Sequence, residues 1–270
     1  MAVVDPQAVR AVLEDLRAEG EALDALVAPL GARGWEADTP AEGWTVAHQV
    51  AHLAWTDGRA LLAVLDPDRF TGELGGDLAE LAASVDTGAA AGAAEPYPEL
   101  LARWREGRTR LLDALAAAPP DARFPWYGPP MSTASVATGR LMETWAHGED
   151  VADTFRVRRE PTARLRHVVR IAVRARDYAF AVHGMAPPAE PFRVELVAPD
   201  GSSWTYGPPD AAQRVTGPAL DFCLLAVRRR HRDDTAVRAR GADADRWLSV
   251  AQAFAGPPGK PRAAANGGAA

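Results

Sequence analysis

The 270-residue sequence has little cysteine and no long apolar run. Cys223 is the only cysteine, which excludes an intrachain disulfide and a cysteine-cluster metal site. Its apolar neighbours predict a buried, unreactive thiol. No stretch approaches the roughly 18 to 20 apolar residues that a membrane span requires, and the charged amphipathic N-terminal stretch is not expected to be a secretory signal. These absences favour a cytoplasmic protein that has no membrane partner.

Lysine is almost absent too, since Lys260 is the only one and arginine carries the remaining positive charge. Together with the abundance of alanine, glycine and proline, this bias is typical of a high-GC bacterium such as an actinobacterium. The net charge of −6 provides no general attraction for nucleic acid, so nucleic acid is not expected as a partner. Hydrophobic residues at 47% and charged residues at 24% are typical of a globular protein that buries a core.

Apolar residues at helical spacing predict four long helices in the first 160 residues, at about 6–29, 45–66, 97–115 and 132–155. Residues 68–94, rich in glycine, alanine and acid, are expected to form a long loop with a short helix. The segment FPWYGPPM at 124–131 predicts an irregular connection. Four helices joined in this way indicate an antiparallel bundle.

After residue 160 the pattern changes. The alternation of FRVELVA at 192–198, the turn signal Asp200-Gly201 and the segment 204–206 predict a β-hairpin among further helices. The fold class is therefore expected to be α+β: a helix bundle at 1–160, a smaller α+β domain at 161–256 and a disordered tail at 257–270.

Two pairs of side chains could hold a metal ion. Glu143 and His147 are four residues apart on a predicted helix, so they share a face. His48 and His52 have the same spacing on a helix that is otherwise apolar. Facing ligands on different helices are how bundle cores build metal sites. The alternative that spacing alone leaves open is an ion pair of Glu143 with His147, with His52 as a hydrogen-bonded core residue.

The segments WTVAHQVAHLAWTD and RLMETWAHGEDVADTF resemble the metal-binding N-terminal domain of the mycothiol-dependent maleylpyruvate isomerase family, within the DinB-like superfamily. DFCLLAVRRRHRDDT and AQAFAGPPG resemble that family's small C-terminal domain. The resemblance implies that His52, Glu143 and His147 hold a divalent metal. His48 departs from the family pattern. We expect it to orient a ligand histidine, with a fourth ligand or a surface residue as the alternatives.

Two histidines and one glutamate, with an open position, are typical of catalytic zinc, although Fe(II) and Ni(II) suit the same ligands. The resemblance implies mycothiol or a similar small thiol as cosubstrate, which the metal would deprotonate. It also implies an isomerase or S-transferase that acts on a small, electrophilic, anionic metabolite. Because the family relies on a basic residue in its C-terminal domain, Arg229 or Arg230 is expected to bind the substrate carboxylate; a solvated arginine run is the alternative.

Two other functions stay open at this point. One is a metal-dependent hydrolase that uses metal-bound water, and the other is a non-catalytic metal-binding module. The sequence singles out no catalytic residue beyond the metal site, and it specifies neither the substrate, nor the choice between isomerisation and conjugation, nor the oligomeric state.

Overall fold

The computed structural model describes residues 5–74, 78–259 and 261–265. The chain divides into two compact units, Met1–Arg159 and Glu160–Ala270. Within the described ranges, the regular structure of the first unit is helical except for one pair of two-residue strands, and the second unit combines helices with a four-stranded sheet. This is the α+β fold class that the sequence predicts. In the described ranges, every helix is too short or too polar to cross a membrane.

The first unit is built around four long helices. Its helices are α1 (Pro6–Val27), α2 (Ala32–Trp35), α3 (Val46–Leu65), α4 (Pro67–Gly72), α5 (Leu78–Ala93), α6 (Tyr97–Ala117) and α7 (Thr133–Thr154). Helices α1, α3, α6 and α7 form the bundle, and their apolar faces meet in a core that includes Leu23, Val50, Leu53, Leu100 and Trp104. Side-chain caps set the starts of two of them, because Asp5 accepts a hydrogen bond at the first turn of α1 and Ser132 at that of α7.

The loop expected at 68–94 is largely helical, so that prediction was wrong. Helix α5 is rich in alanine, which has the highest helix propensity, and its glycines are contact points with α3. A Cβ atom on Gly88 would lie 2.5 Å from Cδ1 of Trp55, and one on Gly92 would lie 2.8 Å from Cβ of Ala51. Gly88 and Gly92, which suggested a loop, therefore allow α5 to pack closely on α3 because they have no Cβ atom. Residues 75–77 of this segment lie outside the described residues.

The proline-rich segment before α7 is anchored at both ends. Strands β1 (Arg123–Phe124) and β2 (Met131–Ser132) pair in antiparallel fashion. Between them, the Trp126 ring stacks on Phe70 at 5.8 Å, and the Tyr127 hydroxyl accepts a hydrogen bond of 3.1 Å from Nε of Arg59. The segment predicted as irregular is thus held against α3 and α4.

The second unit contains α8 (Leu165–Arg174), α9 (Arg176–Val182), β3 (Phe192–Val197), β4 (Ser203–Tyr206), β5 (Gln213–Pro218), α10 (Ala219–Ala226), β6 (Arg238–Arg240) and α11 (Ala242–Val250). The predicted hairpin is β3 with β4. The sheet order is β4-β3-β5-β6, in which β5 lies parallel to β3 and antiparallel to β6. Cys223 is fully buried in α10, with its Sγ 3.6 Å from the carbonyl oxygen of Leu165.

The end of the chain was predicted as a disordered tail. Residues 257–259 and 261–265 carry no helix or strand, but two hydrogen bonds hold them to the second unit. Arg228 donates to the carbonyl of Pro258 at 2.6 Å, and the backbone nitrogen of Ala265 donates to Asp234 at 2.8 Å. Lys260 and residues 266–270 of the predicted tail lie outside the described residues.

Candidate metal centre

A tight turn precedes α3 and positions one side of the site. The backbone nitrogen of Trp44 donates to the carbonyl of Ala41 at 2.9 Å, and Gly43 has a φ of +79°. A positive φ at the third turn position is typical of a type II turn and favours glycine. The chain then folds back so that the nitrogen of Thr39 donates to the carbonyl of Trp44 at 2.8 Å. Thr39 and Trp44 therefore lie side by side at the entrance to α3.

His48 belongs to the cap of α3. Its Nδ1 lies 3.3 Å from the backbone nitrogen and 2.9 Å from the hydroxyl of Thr45, which is the N-cap residue. This capping box satisfies donors that the first helical turn leaves unpaired. Nδ1 of His48 thus serves the start of α3, and the expected role of His48 as the orienting partner of a ligand histidine stays a prediction.

The other three candidates come together between α3 and α7. Nε2 of His52 lies 3.3 Å from Oε2 of Glu143, and Nε2 of His147 lies 3.4 Å from the same oxygen. The three ligand atoms are all within 4.8 Å of one another. The two histidine side chains are about one-tenth exposed, whereas that of Glu143 is 24% exposed. The cluster is therefore open to solvent on the Glu143 side.

The cluster keeps its carboxylate ionised. Burial disfavours the charged form of Glu143, but hydrogen bonds and charges from His147 and His52 outweigh burial and hold the pKa of Glu143 well below its ordinary value. The two imidazoles thus face an anion. Two nitrogen donors and one carboxylate oxygen, all within 4.8 Å of one another, are a donor set that suits zinc and also Fe(II) or Ni(II). The residues present therefore fit a divalent metal.

Two neighbours of the cluster were missed by the sequence reasoning. Gln49 is fully buried, and its side-chain oxygen makes a short hydrogen bond with Nδ1 of His147. Trp44 covers the histidines, with its ring centre 5.4 Å from that of His52 and 6.0 Å from that of His147. The signal for Trp44 was its place in the Trp-Thr start of the motif. The signal for Gln49 was a polar residue on an otherwise apolar helix.

A buried ion pair joins the two helices that carry the cluster. Nε of Arg140 on α7 donates to Oδ1 of Asp57 on α3 at 2.8 Å, and both side chains are at most 6% exposed. Arg140 lies one turn before Glu143 on α7. The pair thus links α3 to α7 next to the cluster.

The predicted substrate residues belong to the second unit. Arg229 and Arg230 lie three and four residues after the end of α10 and are partly exposed. Nη1 of Arg229 donates to the carbonyl of Val227 at 2.9 Å. Neighbouring Arg228 has a φ of +60°, and burial lowers its pKa.

Comparison with known proteins gives two family matches. Residues 16–152 match the model of the mycothiol maleylpyruvate isomerase N-terminal domain, a range that contains the whole cluster. Residues 188–240 match a model described as wyosine base formation. Two uncharacterized proteins of Mycobacterium tuberculosis, from strains CDC 1551 / Oshkosh and H37Rv, are each 55% identical over 248 residues, covering 92% of this chain and 96% of theirs.

Solved structures share the fold. The mycothiol-dependent maleylpyruvate isomerase superposes with a TM-score of 0.59 at 17% identity, covering 86% of this chain and 92% of that one. A histidine-to-alanine mutant of that enzyme superposes with a TM-score of 0.60 at 16% identity, covering 85% and 92%. At this identity the likeness extends to the fold alone.

Proposed function

Because the chain belongs to the mycothiol maleylpyruvate isomerase family, we propose that it is a metal-dependent, thiol-assisted enzyme. It isomerises a small electrophilic anion or joins the thiol to it. The observation that carries the proposal is the convergence of His52, Glu143 and His147, whose ligand atoms lie within 4.8 Å of one another at a partly accessible position. We propose that these three residues are the metal ligands.

Each side chain has a separate task in this scheme. The imidazoles of His52 and His147 supply uncharged nitrogen donors, and Glu143 supplies the single negative charge. Trp44 shields the histidines from water on one side. A divalent metal held there, for which zinc is our proposal, would stabilise the deprotonated form of a small thiol at neutral pH. Reduced small thiols are abundant in the cytoplasm, which is the compartment we propose.

The reaction follows from the chemistry of a thiolate. Its sulfur forms a bond to one carbon of a double bond conjugated to a carbonyl, and the displaced electron pair becomes an enolate. Rotation about the new single bond, followed by loss of the sulfur, gives the isomer and returns the thiolate. Protonation of the enolate in place of that loss leaves a thioether, which is the transferase outcome. Both outcomes use the same residues.

An anionic substrate also needs a cationic partner. We propose Arg229 or Arg230 for this task, since a guanidinium can bind a carboxylate through two parallel hydrogen bonds. Substitution of each by methionine is expected to raise KM for a dicarboxylate substrate while leaving the metal content unchanged. An unchanged KM in both variants would remove this assignment.

The first experiment is elemental analysis of the purified protein, followed by assay of the metal-loaded protein with mycothiol and maleylpyruvate. We expect about one metal per chain and turnover that requires both the metal and the thiol. Metal with thiol-independent ester or amide cleavage would replace the proposal with a hydrolase. Metal without turnover on any electrophile tested would favour a binding module, and absence of metal would refute the ligand assignment.

A further inference from the structure

We infer that Gln49 is a positioning residue, which makes Nδ1 the proton-bearing nitrogen of His147 and leaves Nε2 bare toward Glu143. The inference deepens the proposed function, because a bare Nε2 is the form that binds a metal. It is based on a series of hydrogen bonds that connects the turn before α3 with the cluster.

The first group in this series of hydrogen bonds is a carbonyl oxygen, which can only accept hydrogen bonds. The carbonyl oxygen of Trp44 accepts from the backbone nitrogen of Thr39 at 2.8 Å and from the Thr39 hydroxyl at 2.7 Å. A hydroxyl has one hydrogen. Since Thr39 uses it on the carbonyl, its oxygen is an acceptor for any further partner.

That further partner is Gln49, which is fully buried one turn into α3. Its side chain lies 2.8 Å from the Thr39 hydroxyl oxygen. Because that oxygen accepts, the NH₂ group of Gln49 must face Thr39. Rotation of the amide by 180° would set two acceptors against each other in a buried place, which is unfavourable. The amide oxygen of Gln49 is therefore the atom that faces His147.

The next hydrogen bond in this series joins Gln49 to His147, a member of the cluster. An amide oxygen only accepts, so Nδ1 of His147 must donate and must carry a hydrogen. A neutral imidazole has one N–H, so its Nε2 holds a lone pair. That nitrogen lies 3.4 Å from Oε2 of Glu143. Two acceptors at this distance need a cation between them, which is a metal ion in a loaded site or, without metal, a proton on Nε2 that makes the ring an imidazolium and gives Glu143 the hydrogen bond described above.

His52 lacks such a partner. Its Nδ1 is buried and has no hydrogen-bond partner among the residues that the structure describes. The two histidines therefore differ: the ring of His147 is held in one tautomer by the protein, and that of His52 is not. The orienting interaction that usually supports ligand histidines is provided for His147 only.

The test reads the tautomer directly, without metal, thiol or substrate. Protein labelled with ¹⁵N-histidine is stripped of metal and studied by long-range ¹H–¹⁵N correlation at about pH 8, where an ordinary imidazole is neutral. The His147 signals are assigned with the His147→Gln variant. We expect the proton on Nδ1 in the wild type. A His147 ring that carries a proton on Nε2 and none on Nδ1 would overturn the inference.

Three variants connect the tautomer to metal binding. Gln49→Leu removes the acceptor, so we expect a mixed tautomer and an affinity for Zn²⁺ about 10- to 100-fold lower in competition with a chelator. Gln49→Glu keeps an acceptor and should restore the Nδ1–H form. Thr39→Ser keeps the hydroxyl and is the matched control, with wild-type tautomer and affinity. An unchanged tautomer in a folded Gln49→Leu protein would also refute the inference.

This failure is distinct from failure of the proposed function. A protein that binds no metal, but has the Nδ1–H tautomer set by Gln49, would contradict the enzyme proposal and leave the inference intact. A thiol-dependent enzyme in which His147 has the opposite tautomer would support the enzyme proposal and refute the inference about Gln49.

Discussion

Arg159, five residues after the end of α7, forms an ion pair with Glu19 of α1, 140 residues earlier in the chain. The same guanidinium pairs with Glu149 at 2.9 Å and donates to the carbonyl of Trp145 at 3.2 Å. The side chains of all three charged residues are at most 12% exposed. One buried cation therefore contacts two carboxylates and links α1 to the segment that follows α7.

Arg159→Met is expected to lower the free energy of unfolding by about 3–5 kcal/mol, because it removes the cation that contacts the two buried carboxylates of Glu19 and Glu149. Urea unfolding followed by tryptophan fluorescence measures the change. Arg158→Met is the matched control, since this neighbouring side chain is exposed and should cost less than about 0.5 kcal/mol. Equal losses in the two variants would show that the buried pairs contribute nothing.

His52→Ala is expected to purify with at least tenfold less metal than the wild type while keeping the helical circular dichroism spectrum, because one of three proposed ligands is lost. His48→Ala is the control on the same helix. Its Nδ1 bonds to Thr45, so we expect full metal content and a loss of about 1 kcal/mol of stability from the weakened cap. Loss of metal in His48→Ala alone would exchange the roles of the two histidines.

Two glycine-to-alanine substitutions are expected to change stability in opposite directions. Gly107→Ala in α6 should stabilise by about 0.5–1 kcal/mol, because alanine favours the helix and a Cβ atom there meets nothing within 4 Å. Gly88→Ala in α5 should destabilise by about 1–3 kcal/mol, because its Cβ would lie 2.5 Å from the Trp55 indole. The same sign for both in thermal unfolding would contradict the close contact of α5 with α3.

Acid is expected to remove the contribution of one ion pair between α1 and α6. The hydrogen bond from Arg105, with the charge of Arg108, holds the pKa of Asp24 below its ordinary value of 3.8 despite some burial. A lowered folded-state pKa stabilises the protein above the unfolded-state pKa, and this stabilisation is lost as the pH falls through the folded-state value.

The difference in unfolding free energy between the wild type and Asp24→Asn should therefore be constant near neutral pH and shrink below about pH 4. Asp113→Asn serves as the control, since Asp113 is exposed on α6 and has no ion pair in the described part of the chain. A difference for Asp24→Asn that stays constant down to pH 2 would contradict the prediction.

Periodicity and capping predicted the bundle well, because the apolar stripes of α1, α3, α6 and α7 are long and have clear ends. The sequence also indicated the cluster, since Glu143 and His147 share a face by spacing alone and the motif added His52. It did not reveal α5, where Gly88 and Gly92 read as loop signals until the partner helix was known. Strand β5 was missed for a related reason: its partner β3 lies parallel to it, and no short turn marks that pairing.

The surroundings of the cluster were harder to predict. Gln49 and His48 are adjacent polar residues on one helix; the sequence pattern pointed to the histidine as the orienting residue, whereas we propose Gln49. The choice depends on where the chain before α3 folds back, and hence on the turn at Gly43 that brings Thr39 next to Gln49. Such contacts between a loop and a helix follow no period in the sequence.

Because Cys223 is buried, its rate of alkylation can be used to measure how often the second unit opens. Because it is the only thiol and lies inside the second unit, an alkylating reagent has one point of attack, reached only when that unit unfolds or opens locally. At high reagent concentration the rate of mass gain equals the rate of the opening that exposes Cys223. In a protein proposed to act on reactive electrophiles, burial thus prevents the substrates from reacting with its one thiol.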